Sequence, residues 1–132
     1  MKRNILLFAC FSGALAVSFG AMGAHALKTR IDASHLQVFE TAVKYQMYHT
    51  LALLGLVPLF EKFSVRHLNV SAWLFIIGIV LFSGSLYVLS MRQIVGISGC
   101  DWVGIITPFG GLAFILGWIF ALIAIVIPPA KR

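Results

Sequence analysis

Long stretches without charge, separated by short polar connections, organise this chain. Residues 5–24 form a run of 20 without a charged side chain, residues 70–91 a run of 22, and residues 103–127 a run of 25. Each meets the roughly 20 residues that a helix needs to cross a hydrocarbon core of about 30 Å. A fourth run, residues 42–60, has 19 residues with Lys44 near its start. A lysine in the first turn can snorkel to the headgroups, so this run also counts. The runs are apolar on all sides rather than alternating, which excludes barrel strands. The pattern predicts an all-α membrane protein: a four-transmembrane-helix bundle forming one integral membrane domain over residues 1–132.

The connections add detail. Residues 25–41 are too polar to cross and too patterned to be slack. Ser34 and Gln37 have capping-box spacing, just after Ile31 and Asp32. The helix they open is expected to run through Phe39, Ala42 and His49 to about Phe60, so that a short interfacial helical extension precedes the second span. Pro58 can bend or stop that helix. Asp101 is a suitable N-cap for the last span, and Trp73 and Trp102 sit at span ends, where interfacial aromatics anchor. Pro108, followed by Gly110 and Gly111, predicts an irregular turn early in the last span.

Composition agrees with the pattern. The chain is 61% hydrophobic and 11% charged, whereas soluble domains carry about 25% charged residues. Disorder, nucleic-acid binding and a disulfide scaffold are excluded together; Cys10 and Cys100 imply no disulfide framework. The first run follows Lys2-Arg3 as a signal peptide would, but its 20 residues exceed the usual apolar core of about 7–15, so it is expected to stay. With the N-terminus cytoplasmic, that side holds Lys2, Arg3, Lys62, Arg66, Lys131 and Arg132, against Lys28, Arg30, Lys44 and Arg92 opposite. This excess predicts cytoplasmic N- and C-termini.

Small residues mark packing faces. Ala9, Gly13, Ala16, Gly20 and Ala24 share one face of the first span, and Gly110, Ala113, Gly117 and Ala121 one face of the fourth. Gly84 and Gly111 are further small positions within spans. Close approach over such residues replaces the hydrophobic drive that lipid does not supply. A stripe facing outward would instead favour a homo-oligomer or a membrane-protein partner.

Polar side chains in hydrocarbon are costly, so their positions are informative. Tyr45, Gln46 and His49 share one face of the second span, Ser83 and Tyr87 one face of the third, Thr107 opens the fourth, and His25 closes the first. In the expected topology all seven fall in the non-cytoplasmic half of the bilayer, and they form the candidate polar site.

Several ordered motifs are also familiar. Gly20-Ala-Met-Gly-Ala-His-Ala-Leu27, Tyr45-Gln-Met-Tyr-His-Thr-Leu-Ala-Leu-Leu54, Leu81-Phe-Ser-Gly-Ser-Leu-Tyr87 and Thr107-Pro-Phe-Gly-Gly111 with Gly117-Trp118 stand in this order. Together they resemble the YgdD/YwdK-like small bacterial inner-membrane proteins, a domain of unknown function (number 423, UPF0382-type). The resemblance implies a four-span inner-membrane protein and brings no activity, substrate or catalytic residue with it.

Function is read from the polar site. A structural or accessory membrane component, whose polar cluster fixes helix packing, is the first expectation. The alternative is a small-ligand or proton binding or transport site in the non-cytoplasmic half, suited to paired histidines, tyrosines and an interrupted helix. A metal or haem site on His25 and His49 lacks further ligands, and no cofactor is expected. An enzyme is disfavoured because no residue set completes the geometric roles.

Overall fold

The computed structural model describes residues 2–96, 99 and 102–127. The expected N-cap Asp101, the loop residue Cys100 and the tail pair Lys131-Arg132 lie outside the described residues. The described chain contains no strand and folds into four helical rods. The first is α1 (Lys2–Met22), extended by a π-helical turn, Gly23–Leu27. The second is α2 (Ala33–Leu56), ending in a 3₁₀ turn, Val57–Glu61. The third consists of α3 (Val65–Gly78) and α4 (Gly84–Val95), joined by a π turn, Ile79–Ser83. The fourth is α5 (Val103–Val126).

Local chemistry explains each boundary. Leu27 O accepts the N–H groups of Arg30 and Ile31 at 2.9 and 3.1 Å, turning the chain after the first rod. Asp32 then caps α2, its carboxylate accepting the His35 N–H at 2.9 Å. The cap is therefore two residues earlier than the expected Ser34–Gln37 box, and the Ser34 hydroxyl instead donates to Asp32 Oδ1 at 2.6 Å. A carboxylate accepts charge-assisted bonds and outcompetes a serine hydroxyl for this role. Beyond Leu56, Pro58 withholds a backbone donor and the helix tightens into the 3₁₀ turn. Gly96, at φ 69°, occupies the left-handed conformation that ends α4.

A second difference from expectation lies inside the last rod. The chain around Pro108 stays helical, because Pro108 is the sixth residue of α5 and only the Gly104 carbonyl loses its bond. The irregularity lies on the facing rod, at Ile79–Ser83.

The rods pack in a defined order. α1 lies on α2, α2 lies on α4 and the Ile79–Ser83 turn, and α3 pairs with α5. Buried apolar residues form two clusters. The larger joins Ile5, Leu53, Leu68, Phe75 and Phe114; the smaller joins Leu27, Ile31 and Phe39. Along α2, Gln46, His49 and Thr50 lie between the residues that serve these two clusters.

The outward faces are apolar. Phe11 is 65% exposed, Phe109 62% and Leu122 62%, among many other large apolar side chains. A surface of this extent requires lipid as its solvent. Among the described residues three helices are long and apolar enough to cross a membrane: Lys2–Leu27, Val65–Arg92 and Val103–Val126. The 24 residues of α2 have the length, but its first turns carry His35, Gln37, Glu40 and Lys44.

Candidate functional site

Gln46 is the centre of the polar layer and is 4% exposed. Its Nε2 donates to Ser12 O at 3.0 Å and reaches Ser12 Oγ at 3.3 Å. Its Oε1 accepts the Tyr87 hydroxyl proton at 2.7 Å. The Ser12 hydroxyl lies 2.8 Å from Thr50 Oγ1, closing a network that joins α1, α2 and α4. Tyr87 is wedged between aromatic neighbours, with ring centroids 4.8 Å from Phe19 and 5.0 Å from Phe39. The amide of Gln46 is thus bonded through both its oxygen and its nitrogen, to different rods.

His49 sits one turn further along α2 in an aromatic setting. Its Nδ1 lies 2.8 Å from Tyr45 O, an acceptor, so Nδ1 carries the proton. Trp118 Nε1, which can only donate, points at Nε2 from 3.4 Å. A neutral imidazole protonated on Nδ1 satisfies both neighbours. The ring stacks on Phe114 and also meets Phe75, with centroids 5.3 Å apart. Tyr45 is 40% exposed and contributes its carbonyl and its ring, which packs on Phe82 at 4.7 Å.

A third group stands apart. The Ser85 hydroxyl donates to Phe82 O at 2.9 Å and lies 2.7 Å from Thr107 Oγ1. With its own proton committed to the carbonyl, Ser85 accepts from Thr107. Ser83, one turn before Tyr87, is 1% exposed and its hydroxyl has no partner among the described residues. His25 is exposed on the Gly23–Leu27 turn and makes no hydrogen bond among the described residues. The seven candidate residues therefore divide: Gln46 meets Tyr87, Tyr45 meets His49, Thr107 meets Ser85, and His25 and Ser83 join no bonded group. Ser12 and Thr50 are partners that the sequence pattern left out, as are Ser71, whose hydroxyl donates to Gly117 O at 2.8 Å, and Trp118. Thr50 follows His49 directly and Ser12 lies within the first span, which is the only signal the sequence offers for either.

Glycines set the spacing of the rods. A methyl group at Gly110 would fall on the backbone of Phe82, 2.7 Å from its Cα. One at Gly117 would come within 2.6 Å of the Phe75 ring, and one at Gly78 would strike the Phe114 ring. Phe75 and Gly78 on α3 thus interlock with Gly117 and Phe114 on α5, each ring filling the notch over the other rod's glycine. A methyl group at Gly13 would meet Thr50 Cγ2 and one at Gly20 Val43 Cγ1, both at 3.5 Å, and one at Gly111 would lie 3.8 Å from the Phe82 ring. Nothing lies within 4 Å of the corresponding position at Gly84.

Outside the spans, Asp32 is held well below the usual carboxylate range. The Ser34 hydroxyl is the main cause, followed by the His35 backbone N–H and the His35 ring. His35 Nδ1 lies 2.7 Å from Asp32 Oδ2.

Taken together, apolar helical rods of membrane length around a bonded polar layer define a helical membrane protein. Residues 19–111 match the model of a family described as a protein of unknown function (DUF423). The chain is 46% identical over 127 residues to the UPF0382 membrane protein YwdK of Bacillus subtilis, covering 96% of this chain and 98% of that protein. It is 35% identical over 128 residues to the UPF0382 inner membrane protein YgdD of Escherichia coli, covering 92% and 88%. A UPF0382 membrane protein of Haemophilus influenzae is 38% identical over 120 residues, 90% of each chain. The chain belongs to this family of uncharacterised membrane proteins. No solved structure matches it.

Proposed function

We propose that the protein is a structural or accessory component of the bacterial inner membrane, and that its polar layer serves to fix helix packing. Four rods cross the bilayer in this reading, α2 with its first turns at the interface and both termini on the cytoplasmic side. The excess of Lys and Arg at that end supports the orientation, and the naming of YgdD as an inner membrane protein supports the compartment.

One observation carries the functional reading: the Gln46 amide is bonded through its nitrogen to Ser12 on one rod and through its oxygen to Tyr87 on another. Interhelical hydrogen bonds in membranes average only about 0.6 kcal/mol. Their value is selective, since a slipped register would bury unpaired groups in hydrocarbon.

A second reading keeps the candidate residues as a small-ligand or proton site. Its support is the buried Ser83 hydroxyl, which has no partner among the described residues. Thermal stability of the detergent-solubilised protein across a panel of small polar solutes separates the two. The packing reading expects no solute to raise the midpoint, because only selective binding to the folded state stabilises it. A solute that raises the midpoint of the wild type but not of Ser83→Ala would replace it with the second reading.

A further inference from the structure

A groove of about 450 Å³ opens between α1 and α3, away from the polar layer. Its walls are Ile5 and Phe8 on one rod and Ala72, Trp73 and Ile76 on the other, with Asn4 lining it as well. Trp73 is 57% exposed along its edge. The apolar walls suit a hydrocarbon chain, and the end of the molecule onto which they open is basic. Lys2, Arg3, Lys62 and Arg66 stand there with Glu61, and among the described residues only Lys2 pairs with that acid, at 3.4 Å. Asn69 lies on the same face of α3 as Ala72, Trp73 and Ile76, one turn nearer the basic end. Its Oδ1 is buried and has no hydrogen-bond donor among the described residues.

We propose that this groove seats an acyl chain of an anionic glycerophospholipid, its phosphate held by Arg3 and Arg66. Two features converge on that chemistry. The apolar walls take the chain, and the exposed guanidinium groups take the phosphate. A zwitterionic choline lipid suits the second less well, because its ammonium opposes the arginines. The inference is independent of the role of the polar layer.

Native mass spectrometry of the full chain, titrated with equal amounts of dioleoylphosphatidylglycerol and dioleoylphosphatidylcholine, tests it. Arg3, Arg66 and Trp73 are exposed, so their variants are expected to fold. The wild type should favour the glycerol lipid by at least about fivefold, the worth of one surface basic residue at an anionic headgroup. Arg3→Gln/Arg66→Gln should abolish that preference, and Trp73→Ala, which removes a wall of the groove, should reduce adducts of both lipids. Equal binding of the two lipids, a preference untouched by the arginine variants, or adducts unchanged in Trp73→Ala would each overturn the proposal. So would a dimer that disappears in Trp73→Ala, because the groove would then hold a second copy.

Discussion

The imidazole of His49 lies flat on the ring of Phe114, with centroids 3.5 Å apart and planes 10° from parallel. Phe114 in turn fills the notch over Gly78, so one histidine links α2 to the tight α3–α5 interface. Its two nitrogens face one acceptor and one donor, which fixes the tautomer. The polar layer is in this respect continuous with the apolar packing around it.

His49→Ala removes the stacked ring and leaves both Tyr45 O and the Trp118 indole N–H without that partner. A loss of about 2–4 kcal/mol is expected, by analogy with truncating a buried aromatic. Trp118→Phe should cost about 1 kcal/mol, since only the indole donor is lost. Nitrogen-15 NMR of the imidazole should show the proton on Nδ1; a proton on Nε2 contradicts the assigned hydrogen bonds.

Substitutions at the glycines should fall in a steep order. Gly110→Ala places a methyl on the Phe82 backbone, which cannot swing aside, and should be the most damaging. Gly117→Ala presses on the Phe75 ring and should cost about 1–3 kcal/mol, the usual range for overpacking. Gly84→Ala meets nothing and should be neutral or stabilising by up to about 1 kcal/mol through helix propensity. Thermal midpoints in detergent give the ranking, and equal effects at Gly84 and Gly110 would contradict the packing described.

The Asp32 cap makes a pH-dependent contribution. Its carboxylate titrates below its unfolded value of about 3.9, so folding is favoured while the group is ionised. The contribution is complete above that value and is lost as pH falls through the lower, folded-state one. Asp32→Ala should therefore melt earlier than the wild type at pH 7. The two midpoints should approach each other as pH falls below 4, and a gap that stays constant in acid would remove the cap from the account.

The rods were legible because charge in a hydrocarbon core is costly, so the charge-free runs outline them. Residues 5–24 and 103–127 coincide closely with the first and last rods, and 70–91 lies within the third. Neither π turn carries a local signature, since the composition of Ile79–Ser83 is that of ordinary apolar helix. The residue inserted there shifts the register of α4, and the pairing of Thr107 with Ser85 rather than Ser83 falls just beyond the turn. Gln46 and Tyr87 were readable as polar residues in costly places. Ser12 and Thr50 were harder to single out, because a lone hydroxyl within an apolar helix can bond back to its own backbone, as Ser18 does to Ala14 O at 2.9 Å. Their partners lie on other rods, and helical periodicity carries no information about which face meets which.

A double-mutant cycle on Gln46→Leu and Tyr87→Phe tests the central claim, that the polar layer is a packing lock. Gln46→Leu strands the Tyr87 hydroxyl and Ser12 O together and should cost about 2–3 kcal/mol, while Tyr87→Phe frees only one acceptor and should cost about 1. The double variant should then be about 1 kcal/mol more stable than the sum of the two losses predicts, because the pair shares one bond. Additive losses, or single variants that melt with the wild type, would show that the Gln46–Tyr87 bond does not hold the rods together.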